Sequence, residues 1–301
     1  METLREIFDP NFLLRNSVYI GLLVGLACPL VGVYLVLRRL IFMGVALPQV
    51  SSCGIALAFA LHTWGLVPHS EESEQTLAFA GSTLFTLGTI LVLSILERRG
   101  RGIIEGRIGT AYVLAGAWSI LLLVKNPYGE HGLLERLRGE IIAVSNADLV
   151  WTLAAFTVVV LALFVFQKEF MLVSFDREMA ITLKKNVLFW DGLLFVLIGL
   201  TISMTVLSVG PLVAFGFLLM PPLIAHLFAS NMRQFALGAA AIGLSSSLLG
   251  FYIALRWDLP VGPTDVALLG VVYGIAFLGK KLFNTRRSKE TETLRLSAKQ
   301  G

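Results

Sequence analysis

Along the chain, long apolar runs alternate with short polar segments, the runs lying at about 17–37, 45–66, 77–96, 108–124, 149–166, 188–207, 209–228, 235–255 and 264–279. Each approaches the roughly 20 residues a helix needs to cross the hydrocarbon of a bilayer. Continuous runs predict helices, because a spanning segment must satisfy its own backbone groups, whereas a barrel would show short alternating strands. The predicted fold class is all-α, a polytopic transmembrane helical bundle of eight or nine helices. The count turns on 188–228, which is broken only at Ser208, Gly210 and Pro211. A re-entrant half-helix there would change it by one. Prolines follow Cys28 and Met220 inside two runs, at Pro29 and at Pro221 and Pro222. Each removes a backbone donor, so a kink is expected that serves either packing or a pathway.

Composition strengthens this picture. Of 301 residues, 56% are apolar and 15% charged, against about 45–50% and 25% in soluble domains. With a mean hydropathy of +0.80, an ordinary soluble enzyme is excluded. The distribution of charge matters more than the net +4. Arg38 and Arg39, Arg98 to Arg107, Lys168 to Lys185, Arg233 and the segment from Lys280 onward hold 18 of the 24 Lys and Arg. The positive-inside rule places these segments in the cytoplasm. The N-terminus, the acidic loop His69 to Glu74, residues 125–148 and Arg256 to Asp265 then lie outside, giving nine crossings in the cell inner (plasma) membrane. No basic region precedes a cleavage site, so the first run is expected to remain as a helix. Residues 1–283 form the expected transmembrane domain, and 284–301, polar and without an apolar face, an expected disordered cytoplasmic tail.

Chemistry of a catalyst is missing from the sequence. There is no Gly-x-x-x-x-Gly-Lys-Ser/Thr phosphate loop, no His-Glu-x-x-His, no Gly-x-Ser-x-Gly and no paired carboxylates on one intramembrane face. The runs are nearly empty of the ionisable residues that secondary transporters and pumps place in the membrane. Energy is therefore expected from another chain. Cys28 and Cys53 sit in apolar runs and read as small buried hydrophobes. With Met43, Met204 and Met220 they offer at most a soft-metal route, and the four separated histidines His62, His69, His131 and His226 read as local hydrogen-bonding groups.

Four segments carry a family likeness. Arg38 to Val50, Gly139 to Leu149, Leu172 to Ala180 with Leu183, Asn186 and Val187, and Asp258-Leu259-Pro260-Val261-Gly262 occur in this order. Together they resemble the membrane permease subunits of zinc/manganese-type (metal-type) ABC importers, whose pattern includes Arg-Arg-x-x-x-x-Gly-Asp-Ala-Leu-x-His-Ala and Phe-Asp-Pro-Glu-x-Ala-x-x-Leu-Gly-Val. Gly210 to Val213 and Pro221 to His226 are similar to the permeases for iron chelates, haem and cobalamin.

The resemblance implies a permease that moves a metal ion such as zinc or manganese, or a metal chelate, by alternating access. It implies separate ABC ATPase subunits that bind ATP and magnesium, an extracytoplasmic solute-binding protein, and a homodimer or second permease subunit. It makes the segment at about 170–187 the ATPase-coupling element, with Phe175, Asp176, Arg177, Glu178, Ala180 and Leu183 as its candidates. An amphipathic surface helix, with Phe175, Met179 and Leu183 in phase, is the alternative for that segment. Where the family carries Asp and His, this chain has Val45 and Gln49, so no metal ligands are assigned. Gln49, Ser52 and Cys53 share one helix face and, with Val45, are the translocation-pathway candidates; the alternative is a close helix contact of small residues. The alternative for the whole protein is a non-transporting membrane scaffold or sensor that retains the fold.

Overall fold

The computed structural model describes residues 14–63, 71–98, 104–124 and 146–297, with eleven helices and no strands among them. In chain order these are α1 (Arg15–Leu37), α2 (Ile41–Thr63), α3 (Glu71–Arg98), α4 (Ile104–Val124), α5 (Asn146–Val165), α6 (Gln167–Phe175), α7 (Arg177–Thr182), α8 (Val187–Val209), α9 (Pro211–Phe228), α10 (Met232–Trp257) and α11 (Val261–Ser297). Among the described residues eight helices are long and apolar enough to cross a membrane. A ninth crossing is obtained if α5 and α6, bent by 69° at Phe166, count as one span. The all-α bundle of eight or nine helices read from the apolar runs is thus the observed fold, and the protein is a multi-pass membrane protein.

Gly210 resolves the nearly continuous apolar stretch between α8 and α9. Its φ of 85° and ψ of 168° break the helix at a backbone conformation open to glycine. Pro211 then starts α9 at the first helical position, where a missing N–H costs nothing. The two helices, 23 and 18 residues long, are each of spanning length.

Burial divides the helices into a centre and a rim. The span of α2 is 72% buried and those of α1 and α8 are 61% buried, whereas α4 and α11 are 22% and 17% buried. Association in lipid relies on close contact, because lipid tails are as apolar as Leu. The α1–α10 crossing uses Gly25 and Gly243, where a Cβ on Gly243 would stand 2.1 Å from the Gly25 carbonyl oxygen. At Gly32 a Cβ would stand 1.8 Å from the Leu218 carbonyl oxygen of α9. The prolines serve the same contacts: the Pro29 ring faces Gly243 and the Pro222 ring faces Gly32. Both helices run continuously through their prolines, whose rings serve as contact surfaces between helices.

Midway along α11, Lys280 Nζ donates to the Leu227 carbonyl oxygen near the C-terminus of α9, where a cation also complements the helix dipole. The backbone of α11 remains helical through Ser297, beyond the boundary at 283 drawn from the apolar pattern. Arg, Lys, Glu and Leu are good helix formers, and no Gly or Pro falls between 280 and 297.

Candidate functional site

The pathway candidates lie on α2, the most buried span. Val45 and Gln49 are half-buried, and Ser52 and Cys53 are buried. Gln49 faces α4 at Gly116, where a Cβ would stand 3.3 Å from Gln49 Nε2. The missing side chain at 116 makes room for the amide. Cys53 packs with Val50 and Ala115 in a small apolar cluster against the same helix. Ser52 turns back on its own helix, its Oγ donating to the Pro48 carbonyl oxygen at 3.2 Å. Gln49 and Cys53 therefore come together under α4, whereas the Ser52 hydroxyl is spent locally. On another face of α2, Ser51 and Ser82 of α3 are 2.6 Å apart.

Among the described residues no group of three or more His, Cys, Asp or Glu converges on a point. Cys28 Sγ is 3.1 Å from Thr205 Oγ1, and the Thr205 hydroxyl already donates to the Thr201 carbonyl oxygen at 2.7 Å. The thiol is then the donor to Thr205, a packing role between α1 and α8. His69 and His131 lie outside the described residues, as does the Gly139 to Ser145 part of the second motif and the acidic loop up to Ser70.

The coupling candidates form a compact turn. Phe175 ends α6, and Asp176, with φ −140° and ψ 89°, breaks the helix and starts α7. Asp176 Oδ1 accepts from the Met179 N–H at 2.8 Å, a side-chain N-cap. Glu178 follows in the first turn, where negative charge suits the helix N-terminus. The far end closes with Leu183 N–H on the Met179 carbonyl oxygen at 2.9 Å and Lys185 N–H on that of Ala180 at 3.0 Å. Between them sits Lys184 at φ 55°. Ala180 is fully buried with Val173 and Val187, and seats α7 against α6 and α8. Phe175, Met179, Ile181 and Leu183 are 53–64% exposed, interleaved with the exposed polar residues Glu178 and Thr182, which stand opposite Ala180 at helical spacing. A six-residue helix cannot persist alone, so these anchors hold it as a preformed surface on which a partner can settle.

Behind this surface lies a polar cluster that sequence reasoning missed. Arg38 Nη1 is 2.8 Å from Asp191 Oδ1 of α8, with both side chains nearly buried. Arg38 Nε donates to Ser174 Oγ of α6 at 2.9 Å. Arg177 of α7 approaches Asp191 Oδ2 at 3.6 Å. Asp191 lies inside an apolar run, and its only sequence signal is being a charge there. A second buried carboxylate, Asp265 of α11, packs on Gly250 of α10 with Oδ1 lacking a hydrogen-bond partner.

The family model described as the ABC 3 transport family matches residues 11–280. The manganese import system permease protein ScaB of Streptococcus gordonii is 24% identical over 277 residues, covering 92% of this chain and 94% of that protein. The manganese transport system membrane protein MntD of Bacillus subtilis is 28% identical over 273 residues, covering 86% and 89%. Among solved structures, PsaBC from Streptococcus pneumoniae in complex with Fab has a TM-score of 0.78 at 24% identity, covering 92% of this chain and 94% of that chain. An inward-facing structure assigned to the metal-chelate type of ABC transporter has a TM-score of 0.70 at 18% identity, covering 92% and 90%. At these identities the two structures are evidence of the shared fold.

Proposed function

The chain belongs to the ABC 3 transport family, and from that premise we propose that it is the permease subunit of an ATP-driven importer for a metal ion such as manganese or zinc, or for a metal chelate. ATP and magnesium are bound and turned over on separate ATPase subunits. Two permease chains, identical or paired with a second kind, enclose the pathway, and an extracytoplasmic solute-binding protein delivers cargo. Alternating access follows if closure of the ATPases displaces α7 and the helices behind it.

The observation that supports this reading is the capped α7, seated by Ala180 and carrying exposed apolar and charged residues side by side. A scaffold or sensor without ATPases has no use for such a surface. The manganese transport for which ScaB and MntD are named favours a divalent transition metal.

Ligand chemistry refines the cargo. A bare divalent ion must exchange its water for donor atoms, and leaving its charge uncompensated costs several kcal/mol or more. Val45 offers no donor and Gln49 only a neutral amide, while the Ser52 hydroxyl is engaged with Pro48. This donor set favours a cargo whose metal arrives already ligated.

Purification with the ATPase and binding-protein partners, reconstitution in vesicles, and uptake of manganese, zinc and a ferric chelate test the proposal. Solute-stimulated ATP hydrolysis with uptake of one of these supports it. ATPase binding with no uptake of any would favour the scaffold. Gln49→Ala separates the cargoes: uptake of a chelate is little changed, whereas loss of tight manganese or zinc binding would assign the ion to α2. Installing the missing ligands with Val45→Asp and Gln49→His is expected to create measurable divalent-metal binding.

A further inference from the structure

We propose that the buried Arg38–Asp191 ion pair is a positioning hub, joining the α6–α7 docking segment to the corner between α1 and α2 and to the start of α8. The inference rests on reading α7 as the ATPase-docking surface, and adds how its displacement reaches the pathway helices.

Arg38 belongs to a tight corner. Its N–H bonds the Tyr34 carbonyl oxygen at 3.0 Å, and Leu40 N–H bonds that of Leu35 at 2.9 Å. Arg39 between them is left-handed, at φ 58°. Its backbone therefore moves only with the end of α1 and the beginning of α2. Val45 and Gln49 lie within the first turns of that same α2.

From this corner one side chain reaches two other elements. The guanidinium meets Asp191 and Ser174 at 2.8 and 2.9 Å and lies over the Phe195 ring at 5.6 Å from its centroid. Asp191 and Phe195 are four residues apart, on one face of α8. Ser174 directly precedes Phe175 of the docking surface. On the solvent side, Arg177 of α7 addresses the other oxygen of the same carboxylate. The carboxylate is thus shared between a guanidinium fixed to the helix corner and one fixed to α7.

Two physical features make this a link rather than a casual contact. Side-chain exposures of 11% and 9% mean that separating the charges would strand both in a poorly solvated place, so the pair resists stretching. Arg38 Nη2 is buried and has no hydrogen-bond partner. That spare donor lets the fork take a second arrangement with Asp191 or Ser174 when the segment shifts. A push on α7 is delivered through Arg177, Asp191 and Ser174 to Arg38, and from there to α2 and α8 together.

The test uses the full complex with ATPases and binding protein in vesicles. Arg38→Gln with Asp191→Asn removes both charges and leaves none stranded. Its α7 surface is intact, so it is expected to bind ATPases like the unaltered chain. The amount of solute moved per ATP hydrolysed is expected to fall about tenfold, in the range of typical coupling between sites. Measured on isolated, folded and ATPase-bound complex and corrected for hydrolysis without solute, that ratio is unmoved by loss of folded protein. Arg38→Lys keeps the charge but loses the Nε bond to Ser174; it is expected to give an intermediate ratio, and serves if the double variant does not fold. A ratio within about twofold of the unaltered chain in either folded, ATPase-bound variant would overturn the hub. Failure of the unaltered chain to bind ATPases would instead overturn the docking reading.

Discussion

Asp176 offers a sharp test of what the docking segment contributes, because its geometry separates a cap from a charge. Its Oδ1 holds the Met179 N–H at 2.8 Å at the start of a helix of only six residues. Replacing an N-cap Asp by Ala costs about 1 kcal/mol, within a range of about 0.5–2. Since 1.4 kcal/mol is a factor of ten in an equilibrium constant, about 1 kcal/mol lowers the ratio of formed to unformed α7 by about fivefold. Apparent affinity scales with the competent fraction. Asp176→Ala is therefore expected to weaken ATPase binding by up to about fivefold, the full effect appearing when α7 is largely unformed in the free variant. Asp176→Asn removes the charge but keeps a side-chain oxygen that caps equally well, and is expected to bind within about twofold of the unaltered chain. The assay is binding of purified ATPase subunits to the permease in nanodiscs, at two salt concentrations. If Asp176→Asn weakened binding as much as Asp176→Ala, and added salt abolished the difference from the unaltered chain, the carboxylate would be a docking charge and the capping argument would fail. Equal binding by all three would show that α7 stays formed without the cap, held by its packing on α6 and α8.

Other expectations follow from the same structure. Gly32→Ala puts a Cβ where it would lie 1.8 Å from the Leu218 carbonyl oxygen; the forced separation of α1 and α9 is expected to cost about 1–3 kcal/mol, read as a lower thermal unfolding midpoint in detergent, and an unchanged midpoint would refute the close contact. Asp265→Asn removes a buried carboxylate whose Oδ1 has no partner, so the midpoint is expected to hold or rise; a drop of several degrees would reveal a partner for the charge. Cysteine labelling of intact cells is expected to reach substitutions at Glu72 and Pro127, and those at Arg101 and Glu178 only after permeabilisation. Outside labelling at 101 would overturn the orientation drawn from the basic residues.

Different parts of this protein were legible to different degrees. The spans were readable because a bilayer demands about 20 apolar residues per crossing, a one-dimensional requirement that the chain records directly. The break at Gly210-Pro211 was readable as a break, but two full helices rather than a half-helix became certain only with the φ of 85° at Gly210. The segment around Asp176 stood out as short, charged and in helical phase. Its division into a six-residue α7, its cap on Met179 and the burial of Ala180 came from contacts with α6 and α8. Gln49, Ser52 and Cys53 share a helix face by spacing alone, yet spacing says nothing about which neighbour that face meets. Only packing sets Gln49 against Gly116 and turns Ser52 back to Pro48. The same limit hid the Arg38 cluster, whose partner Ser174 is 136 residues away. Hydropathy is nearly uniform around these helices and specifies insertion, whereas their neighbours are chosen by glycine contacts, proline rings and a few buried polar pairs. Insertion was therefore determined by the sequence read along its length, while the juxtaposition of α7, α8 and the α1–α2 corner was decided by the tertiary structure, because short-range packing between distant segments leaves no periodic trace in either one.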